Sequence, residues 1–318
     1  MIGRFERRAF RAMGTSCMVG VTVRPGQRLV ARKALTAAEV EVAACESALS
    51  RFEPRSDLSR LNAASGRWVD VDERLLSAVR SALRAREDTG GRFDPTILPA
   101  LVAAGYDRTF EELAVRPARK AAGWRAGAEL EADPDTGRAR IEAGAALDLG
   151  GIGKGFSAGR ALDAMLRAAP ELDGGLVDLG GDIAVRGLPP DGTLWRVAIA
   201  DARRPGQTLG TLGLLEGGVA TSGRDRRRFG PEGSLHHLID PATGAPAEEG
   251  PLTVTVAGDD PAQVEAHATA LAISSLAEAR GHLDRFAELS ALYVPAAGEP
   301  VALGELAFVP AGDTVTAS

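Results

Sequence analysis

A glycine-rich turn around Lys154 combines residue types that suit phosphate chemistry. Residues 148–155 read DLGGIGKG, and helical periodicity follows from Gly155 onward. The turn is not a GxxxxGK[ST] nucleotide loop, because Asp148 and Gly155 stand where that loop needs Gly and Ser or Thr, and the GxGxxG pattern fails at Phe156. Backbone N–H groups at a helix start, beside one ammonium group, nevertheless favour a bound phosphate. The alternative is a structural strand-to-helix turn with an exposed lysine.

A carboxylate and a hydroxyl share one face of a helix predicted over 261–276. Asp260 can accept hydrogen bonds from first-turn amides, and the proline after it fits the first helical position. Glu265 and Thr269 stand four residues apart, so they lie one turn from each other. Two hard oxygens at this spacing can hold Mg²⁺ together with backbone carbonyls and phosphate oxygens, and an ordinary amphipathic helix is the alternative. His267 points elsewhere and is expected at the surface.

Two adjacent histidines supply a candidate base. His236 and His237 fall on a predicted short strand of alternating exposure that ends in a turn at Asp240. A histidine at a strand end can act as a general base near neutral pH, and Asp240 could orient it. The alternative is a pair of surface or core histidines without a catalytic role.

Short helices and strands in irregular order would position these groups. Apolar spacing predicts helices over 36–49 and 75–86, and a turn-rich centre predicts a hairpin over 129–141. Further strands are predicted at 145–149, 176–179, 195–200 and 252–257. Because strands and helices do not alternate strictly, we predict an α+β (mixed α/β) fold with mixed sheets and packed helices rather than a parallel doubly wound sheet. No repeat or linker divides the chain, so one unit over 1–318, with two lobes, is expected.

Composition and charge exclude several classes of function. The 318 residues include 37 Lys and Arg against 43 Asp and Glu, a net charge of −6, which disfavours nucleic acid as a partner. No run approaches the ~20 apolar residues that span a bilayer, so we expect a soluble chain without a transmembrane segment. Cys17 and Cys45 are too few for a disulfide framework and lack zinc-site spacing. Arginines interrupt the N-terminal stretch where a signal peptide needs an apolar core, so a cytoplasmic location is expected.

Six separated motifs occur in one order along the chain. They are AMGT at 12–15, SRFEPRSDLSRLN at 50–62, GRFDPT at 91–96, DLGGIGKG at 148–155, VDLGGD at 177–182, and TSG at 221–223 followed by HLIDP at 237–241. In these segments, from about residue 10 to residue 275, the chain resembles the ApbE family, the FAD:protein FMN transferases. Separate motifs that match one family in order point to one ligand.

The resemblance implies a fold, a substrate and a reaction. FAD would lie in a cleft between two lobes, and the family transfers the FMN half of FAD to a Thr or Ser hydroxyl of an acceptor protein, forming a phosphoester and releasing AMP. The positions that match the family's FAD contacts are Met13, Phe52, Arg92, Phe93, Asp94, Asp148, Lys154 and Ile239.

The resemblance also implies a metal and catalytic groups. Mg²⁺, or Mn²⁺ in its place, would be held by the backbone carbonyls of Gly151 and Ala268 and the side chains of Glu265 and Thr269. Lys154 would add a point charge at the phosphates. His237 is the candidate proton acceptor for the incoming hydroxyl.

Three positions depart from the family pattern. Glu265 stands where the family usually has Asp, Gly159 replaces an Asp, and Phe52 replaces a Tyr. The extra methylene of Glu265 shifts its carboxylate, and Phe52 can still stack on a ring but loses the hydroxyl. Two alternatives therefore stay open: an FAD pyrophosphatase that gives FMN and AMP, and a non-catalytic FAD-binding protein.

Overall fold

Helices and strands follow one another irregularly along the chain. The computed structural model describes residues 3–108, 124–224, 228–229 and 235–312. Helices within these ranges are α1 (Arg28–Leu49), α2 (Asp57–Ala63), α3 (Glu73–Asp88), α4 (Leu98–Ala104), α5 (Gly153–Ala168), α6 (Pro261–Leu271) and α7 (Leu276–Leu283). Longer strands are β1 (Arg4–Ala12), β2 (Thr15–Val23), β4 (Leu130–Asp133), β5 (Arg138–Ile141), β6 (Gly174–Leu179), β7 (Ile183–Gly187), β8 (Trp195–Ala200), β9 (Thr208–Leu214), β10 (Gly217–Gly223), β15 (Thr253–Gly258) and β16 (Ser290–Val294). Strands of two or three residues are β3 (Val69–Asp70), β11 (Arg228–Phe229), β12 (Leu235–His236), β13 (Ile239–Asp240), β14 (Ala245–Pro246), β17 (Val301–Leu303) and β18 (Phe308–Pro310).

An eight-stranded sheet forms the centre of the fold. Its strands lie in the order β1-β2-β6-β7-β10-β15-β16-β17. Strands pair antiparallel throughout this sheet, as β2 does with β6, where Cys17 lies opposite Leu179. The predicted α+β class is confirmed. The pairing differs from the prediction, since the strands of this sheet are antiparallel where mixed sheets were expected.

Side-chain alternation gives the central sheet two apolar faces. Val177 and Leu179 of β6 pack with α1 and α5, whereas Leu176 packs with Trp195 and Ile199 of a smaller sheet, β18-β9-β8. Successive side chains of a strand point to opposite faces, so both faces of the sheet are covered. The helices cover one face and the smaller sheet covers the other.

A second apolar cluster lies beyond the helical layer. It joins the end of α1 to α2, α3, the β3-β5-β4 sheet and one face of α6, with Leu58, Leu75, Ile141 and Ala266 fully buried. The opposite face of α6 packs near β15 through Val264. Because α6 contributes to both clusters, its position is fixed from two sides.

Most predicted elements are present. The hairpin is β4–β5, the strand predicted at 195–200 is β8, and the predicted helices correspond to α1, α3 and α6. Helix α1 begins earlier than predicted, at Arg28. Asp260 is the N-cap of α6, and its carboxylate accepts from the backbone N–H groups of Ala262 and Gln263, as predicted.

One predicted strand is absent, and one predicted helix ends earlier than expected. Residues 145–149 do not form a strand; the side-chain amide of Asn62 instead accepts from Leu147 N at 2.7 Å and donates to Leu147 O at 3.0 Å, in place of a neighbouring strand. Helix α6 ends at Leu271 rather than 276, because Ser275 starts a new helix through a capping box with Glu278.

Among the described residues, no helix has both the length and the apolar character needed to cross a bilayer.

Candidate active site

A cavity of about 630 Å³ opens between the central sheet, the glycine turn and α6. This volume lies in the range of small-molecule sites. The cavity wall contains all the predicted FAD contacts: Met13, Phe52, Arg92, Phe93, Asp94, Asp148, Lys154 and Ile239. Gly151, Glu265, Thr269 and His237 also line it, so the structure brings these groups together.

Lys154 is one of the cations that line this cavity. Its Nζ forms ion pairs with the carboxylates of Asp182 and Glu265, at 2.6 Å from Glu265 Oε1. Burial lowers the pKa of Lys154, but the two carboxylates outweigh burial and hold that pKa above its ordinary value. Lys154 is therefore an ammonium ion at any physiological pH and serves as a fixed positive charge, not as a base.

Glu265 is buried between two helices, with 2% of its surface exposed. Its second oxygen accepts from the backbone N–H of Gly155 at 2.7 Å. This bond lies in the first turn of α5, where the helix dipole favours a negative charge. Burial and the nearby Asp182 nevertheless raise the pKa of Glu265, and Lys154 and the Gly155 N–H oppose that rise.

A missing side chain lets α5 and α6 approach this closely. A Cβ on Gly155 would lie 2.2 Å from the carbonyl oxygen of Pro261 and 3.1 Å from the Cβ of Glu265. Real atoms do not tolerate the first of these distances, so any larger residue would push the helices apart. The Lys154–Glu265 contact therefore depends on the glycine that follows the lysine.

Hard oxygen atoms meet beside this ion pair. Thr269 Oγ1 donates to the carbonyl oxygen of Gly151 at 3.3 Å, and Glu265 lies one helical turn away on α6. Carbonyl, hydroxyl and carboxylate oxygens are the ligands that Mg²⁺ prefers, so these three groups fit the predicted metal. None of these three groups belongs to a histidine or a cysteine. Within the described residues, no group of three or more His, Cys, Asp or Glu side chains could hold a metal.

Ala268 differs from the other three predicted metal ligands. It is fully buried in the apolar cluster on the far side of α6, and its carbonyl oxygen accepts from Ala272 N at 2.9 Å within the helix. That oxygen could join a metal only through its second lone pair.

Asp148 is held by the turn that it begins. One carboxylate oxygen accepts from Gly150 N at 2.7 Å, and the other forms an ion pair with Arg51 Nε at 2.6 Å. The Arg51 guanidinium lies over the rings of Phe52 and Tyr106, at 4.1 and 4.9 Å from their centroids. No role was predicted for Arg51, although its position directly before Phe52, the predicted stacking ring, could have indicated one.

The segment 92–94 combines ligand-facing and structural groups. Asp94 is buried, and its carboxylate accepts from Thr96 N at 2.9 Å and Gly127 N at 2.6 Å, so it organises the local backbone. Arg92 forms an ion pair with Glu278 of α7. The ring of Phe93 borders the glycine turn, where a Cβ on Gly151 would lie 3.2 Å from it.

Met13 lies in the tight turn between β1 and β2. Its φ of +51° places it in the left-handed region, and its backbone N–H donates to Glu46 Oε1 at 2.6 Å. Glu46 also lines the cavity, which the sequence did not indicate. The turn thereby presents the Met13 side chain and a carboxylate at the same wall.

His236 and His237 occupy different environments. His236 is buried, with Nε2 at 3.0 Å from the carbonyl of Ala247, whereas His237 is half-buried and lines the cavity. The predicted continuous strand here is wrong, since β12 and β13 are separate two-residue strands on either side of His237. Asp240, the predicted orienting group, accepts from Ala242 N at 2.9 Å within its own turn.

His267 is not at the surface, and that prediction is wrong. It is 2% exposed, with Nδ1 at 2.7 Å from Nε2 of His282. Burial and the neighbouring His282 lower the pKa of His267 to about 3. The pair supports α6 from the side opposite the cavity as neutral imidazoles.

Comparison with known proteins agrees with the motif order. The sequence profile of the ApbE family matches residues 13–293. The FAD:protein FMN transferase of Treponema pallidum (strain Nichols) is 32% identical over 308 residues, covering 90% of this chain and 83% of the relative. The FAD:protein FMN transferase of Klebsiella pneumoniae (strain 342) is 29% identical over 255 residues, covering 77% and 72%.

Solved structures share the fold. The crystal structure of the ApbE protein from Thermotoga maritima superposes with a TM-score of 0.82 at 27% identity, covering 94% of this chain and 97% of the other. The flavin transferase ApbE from Vibrio cholerae gives a TM-score of 0.79 at 21% identity, covering 95% and 97%. On the match of the family profile and the shared fold, the chain belongs to the ApbE family.

Proposed function

We propose that this protein is an FAD:protein FMN transferase that moves the FMN half of FAD to a Thr or Ser hydroxyl of an acceptor protein. Family membership and the activity named for its relatives support the reaction class. One observation carries the proposal for this chain: Lys154, Glu265, Thr269 and Gly151 meet at the wall of one cavity. That wall offers positive charge, backbone N–H groups and hard oxygens to a pyrophosphate.

The reaction is a displacement at phosphorus. The acceptor hydroxyl oxygen attacks the phosphorus on the FMN side, forming a phosphoester, and the bond from this phosphorus to the bridging oxygen breaks. AMP leaves with the bridging oxygen and its electron pair. Charge on the phosphoryl oxygens must be neutralised, and the attacking group must be aligned and lose a proton.

This chain's residues can meet each requirement. Lys154 holds a fixed charge beside the glycine turn, and the stacked wall near Phe52 orients a ring of FAD. His237, half-buried in the same wall, would accept the hydroxyl proton. Asp148 and Asp94 keep the turn and the 92–94 segment in place.

Mg²⁺ fits the oxygen donors of Gly151, Thr269 and Glu265, with the carbonyl of Ala268 as the predicted fourth. When bound, it would supply further neutralisation of phosphate charge. Since Lys154 already pairs with Glu265, the ammonium and the metal would share that carboxylate. The glutamate that replaces the family's aspartate also reaches Gly155 N, which gives it a second role at the start of α5.

An acceptor assay tests the proposal. The protein is incubated with FAD, Mg²⁺ and a polypeptide that carries the family's flavinylation threonine, and intact mass and AMP are measured. We expect acceptor modified by one FMN together with AMP, and Thr269→Val should abolish both. AMP without an acceptor would indicate pyrophosphatase activity, and tight FAD binding without AMP would indicate a non-catalytic protein. A cytoplasmic location and one domain over residues 1–318 stay predictions.

A further inference from the structure

We propose that Arg51 is an additional ligand-binding residue, whose guanidinium donates a hydrogen bond to the acceptor edge of one ring system of FAD. The inference rests on the proposed function, because it takes FAD as the occupant of the cavity. Arg51 lines that cavity, and only 8% of its side chain is exposed. Arg51 is not among the positions that match the family's FAD contacts.

The guanidinium is fixed on two sides. Its Nε forms an ion pair with Asp148 Oδ2 at 2.6 Å, and its Nη2 donates to the carbonyl oxygen of Tyr106 at 3.0 Å. These two contacts engage Nε and Nη2, whereas an arginine carries five N–H donors in all. Nη1 forms no hydrogen bond with any residue in the described ranges. A donor is therefore left over on a side chain that lines the cavity.

Two aromatic rings fix the plane of the guanidinium. Its central carbon lies 4.1 Å from the centroid of Phe52 and 4.9 Å from that of Tyr106, and the two rings meet edge to face at 6.4 Å. Stacking on aromatic faces stabilises a planar cation and limits its rotation. Because the donor is already ordered, a ligand that it binds meets little further entropic cost.

The surroundings favour a ring over a phosphate. Asp148 compensates the charge of Arg51, and the backbone amides at the start of α5, beside Lys154, are the groups suited to the pyrophosphate. Next to Arg51, the ring of Tyr106 belongs to an apolar cluster with Leu101 and Ile239 that also lines the cavity. A flat ring with nitrogen or carbonyl acceptors at its edge matches an apolar wall that ends in one oriented donor.

FAD carries two such rings, adenine and isoalloxazine, and binding measurements separate them. Dissociation constants for FAD, ADP and FMN are measured for wild type, Arg51→Met and Arg51→Lys. Arg55→Met is the matched control, since Arg55 is an exposed arginine in the same segment. Arg51→Lys keeps a positive charge beside Asp148 but lacks the planar guanidinium with its several donors. This variant serves as the test protein if Arg51→Met does not fold.

We expect both substitutions at Arg51 to weaken FAD binding by on the order of tenfold, the loss of one hydrogen bond from a charged donor. The same loss of affinity should appear with only one of the two smaller ligands. It should appear with ADP if Arg51 binds the adenine ring, and with FMN if Arg51 binds the isoalloxazine ring. Arg55→Met should bind all three ligands like wild type.

Unchanged FAD binding in both Arg51 variants would overturn the inference. Equal losses for ADP and FMN would also overturn it, because they would indicate a general distortion of the cavity rather than one lost contact. Failure of the wild-type protein to bind FAD would instead contradict the proposed function itself.

Discussion

Replacing Lys154 with methionine tests whether one ammonium group stabilises both the fold and the bound phosphates. Lys154 Nζ is the cation shared by the Glu265 and Asp182 carboxylates. Methionine keeps much of the apolar stem, so the variant removes the charge without opening a large cavity. Lys154→Met therefore leaves two buried carboxylates without their ammonium partner.

The structure gives the size of the expected effect. Removing one partner of a buried ion pair costs about 3–5 kcal/mol, because the remaining charge is desolvated and uncompensated. With an unfolding entropy of roughly 2 cal/mol/K per residue, this predicts a fall in Tm of roughly 5–8 °C for a chain of this length. Transfer of FMN should fall by about 10²–10³-fold, the usual loss of one charge-stabilising group.

Glu265 gives the variant a characteristic pH dependence. Its pKa is already raised from 4.5, and loss of the ammonium raises it further. A carboxyl group with a raised folded-state pKa binds more protons folded than unfolded. Its stabilising contribution is complete below 4.5 and is lost as pH rises through the folded-state pKa. The Tm deficit of Lys154→Met should thus be smaller at about pH 5 than at about pH 8.

Thermal unfolding at both pH values and the acceptor assay provide the measurement. Lys33→Met, at an exposed lysine of α1, is the matched control and should change neither readout. The double variant Lys154→Met, Glu265→Gln should recover part of the lost Tm, since Asp182 still lacks its partner, but none of the transfer. Wild-type Tm and wild-type transfer in Lys154→Met would refute this account of the lysine.

Three further predictions concern helix packing, the base and the buried imidazole. Gly155→Ala should lower both Tm and transfer, because the added Cβ would lie 2.2 Å from the carbonyl oxygen of Pro261. Gly159→Ala, whose Cβ would meet no atom nearer than 3.6 Å, should keep transfer and raise the free energy of unfolding by about 0.5–1 kcal/mol. Equal effects at both glycines would contradict the packing argument. His237→Asn should lower kcat by about 10²-fold, and an unchanged kcat would place the base elsewhere. His267 has a pKa of about 3 in the folded protein against 6.5 in the unfolded chain, so it should lower the free energy of unfolding by about 2 kcal/mol at about pH 5, and by more as pH falls. In urea unfolding, His267→Gln should therefore lose less stability than wild type as pH falls. A loss equal to that of wild type would be inconsistent with the lowered pKa.

Much of the site was predictable because its residues follow one another in motifs at the ends of elements. Asp148 to Gly155 form a continuous segment that turns into the start of α5, and Glu265 and Thr269 share a helix face at a spacing of four residues. Local patterns of this kind determine which side chains share a surface. The order of the motifs matched that of one family, which predicted that segments more than 100 residues apart in the sequence line one site. The contact between Lys154 and Glu265 is an example.

The remaining features depend on contacts between distant segments that leave no periodic signal. The Asn62 amide replaces a strand partner for Leu147, so the apolar run there looks like a strand without being one. His267 follows Glu265 on α6 but is buried by His282 and Phe286, which come from the next helix and its end. The partners of such side chains are set by tertiary packing, which local spacing does not encode.

The ratio of AMP released to acceptor modified tests the central claim most directly. Intact-mass measurement of the acceptor and quantitation of AMP are made on the same reaction with FAD and Mg²⁺, alongside a reaction without acceptor. We expect one AMP for each FMN attached and little AMP when the acceptor is absent. AMP released without covalent FMN on the acceptor, or no AMP at all, would contradict it.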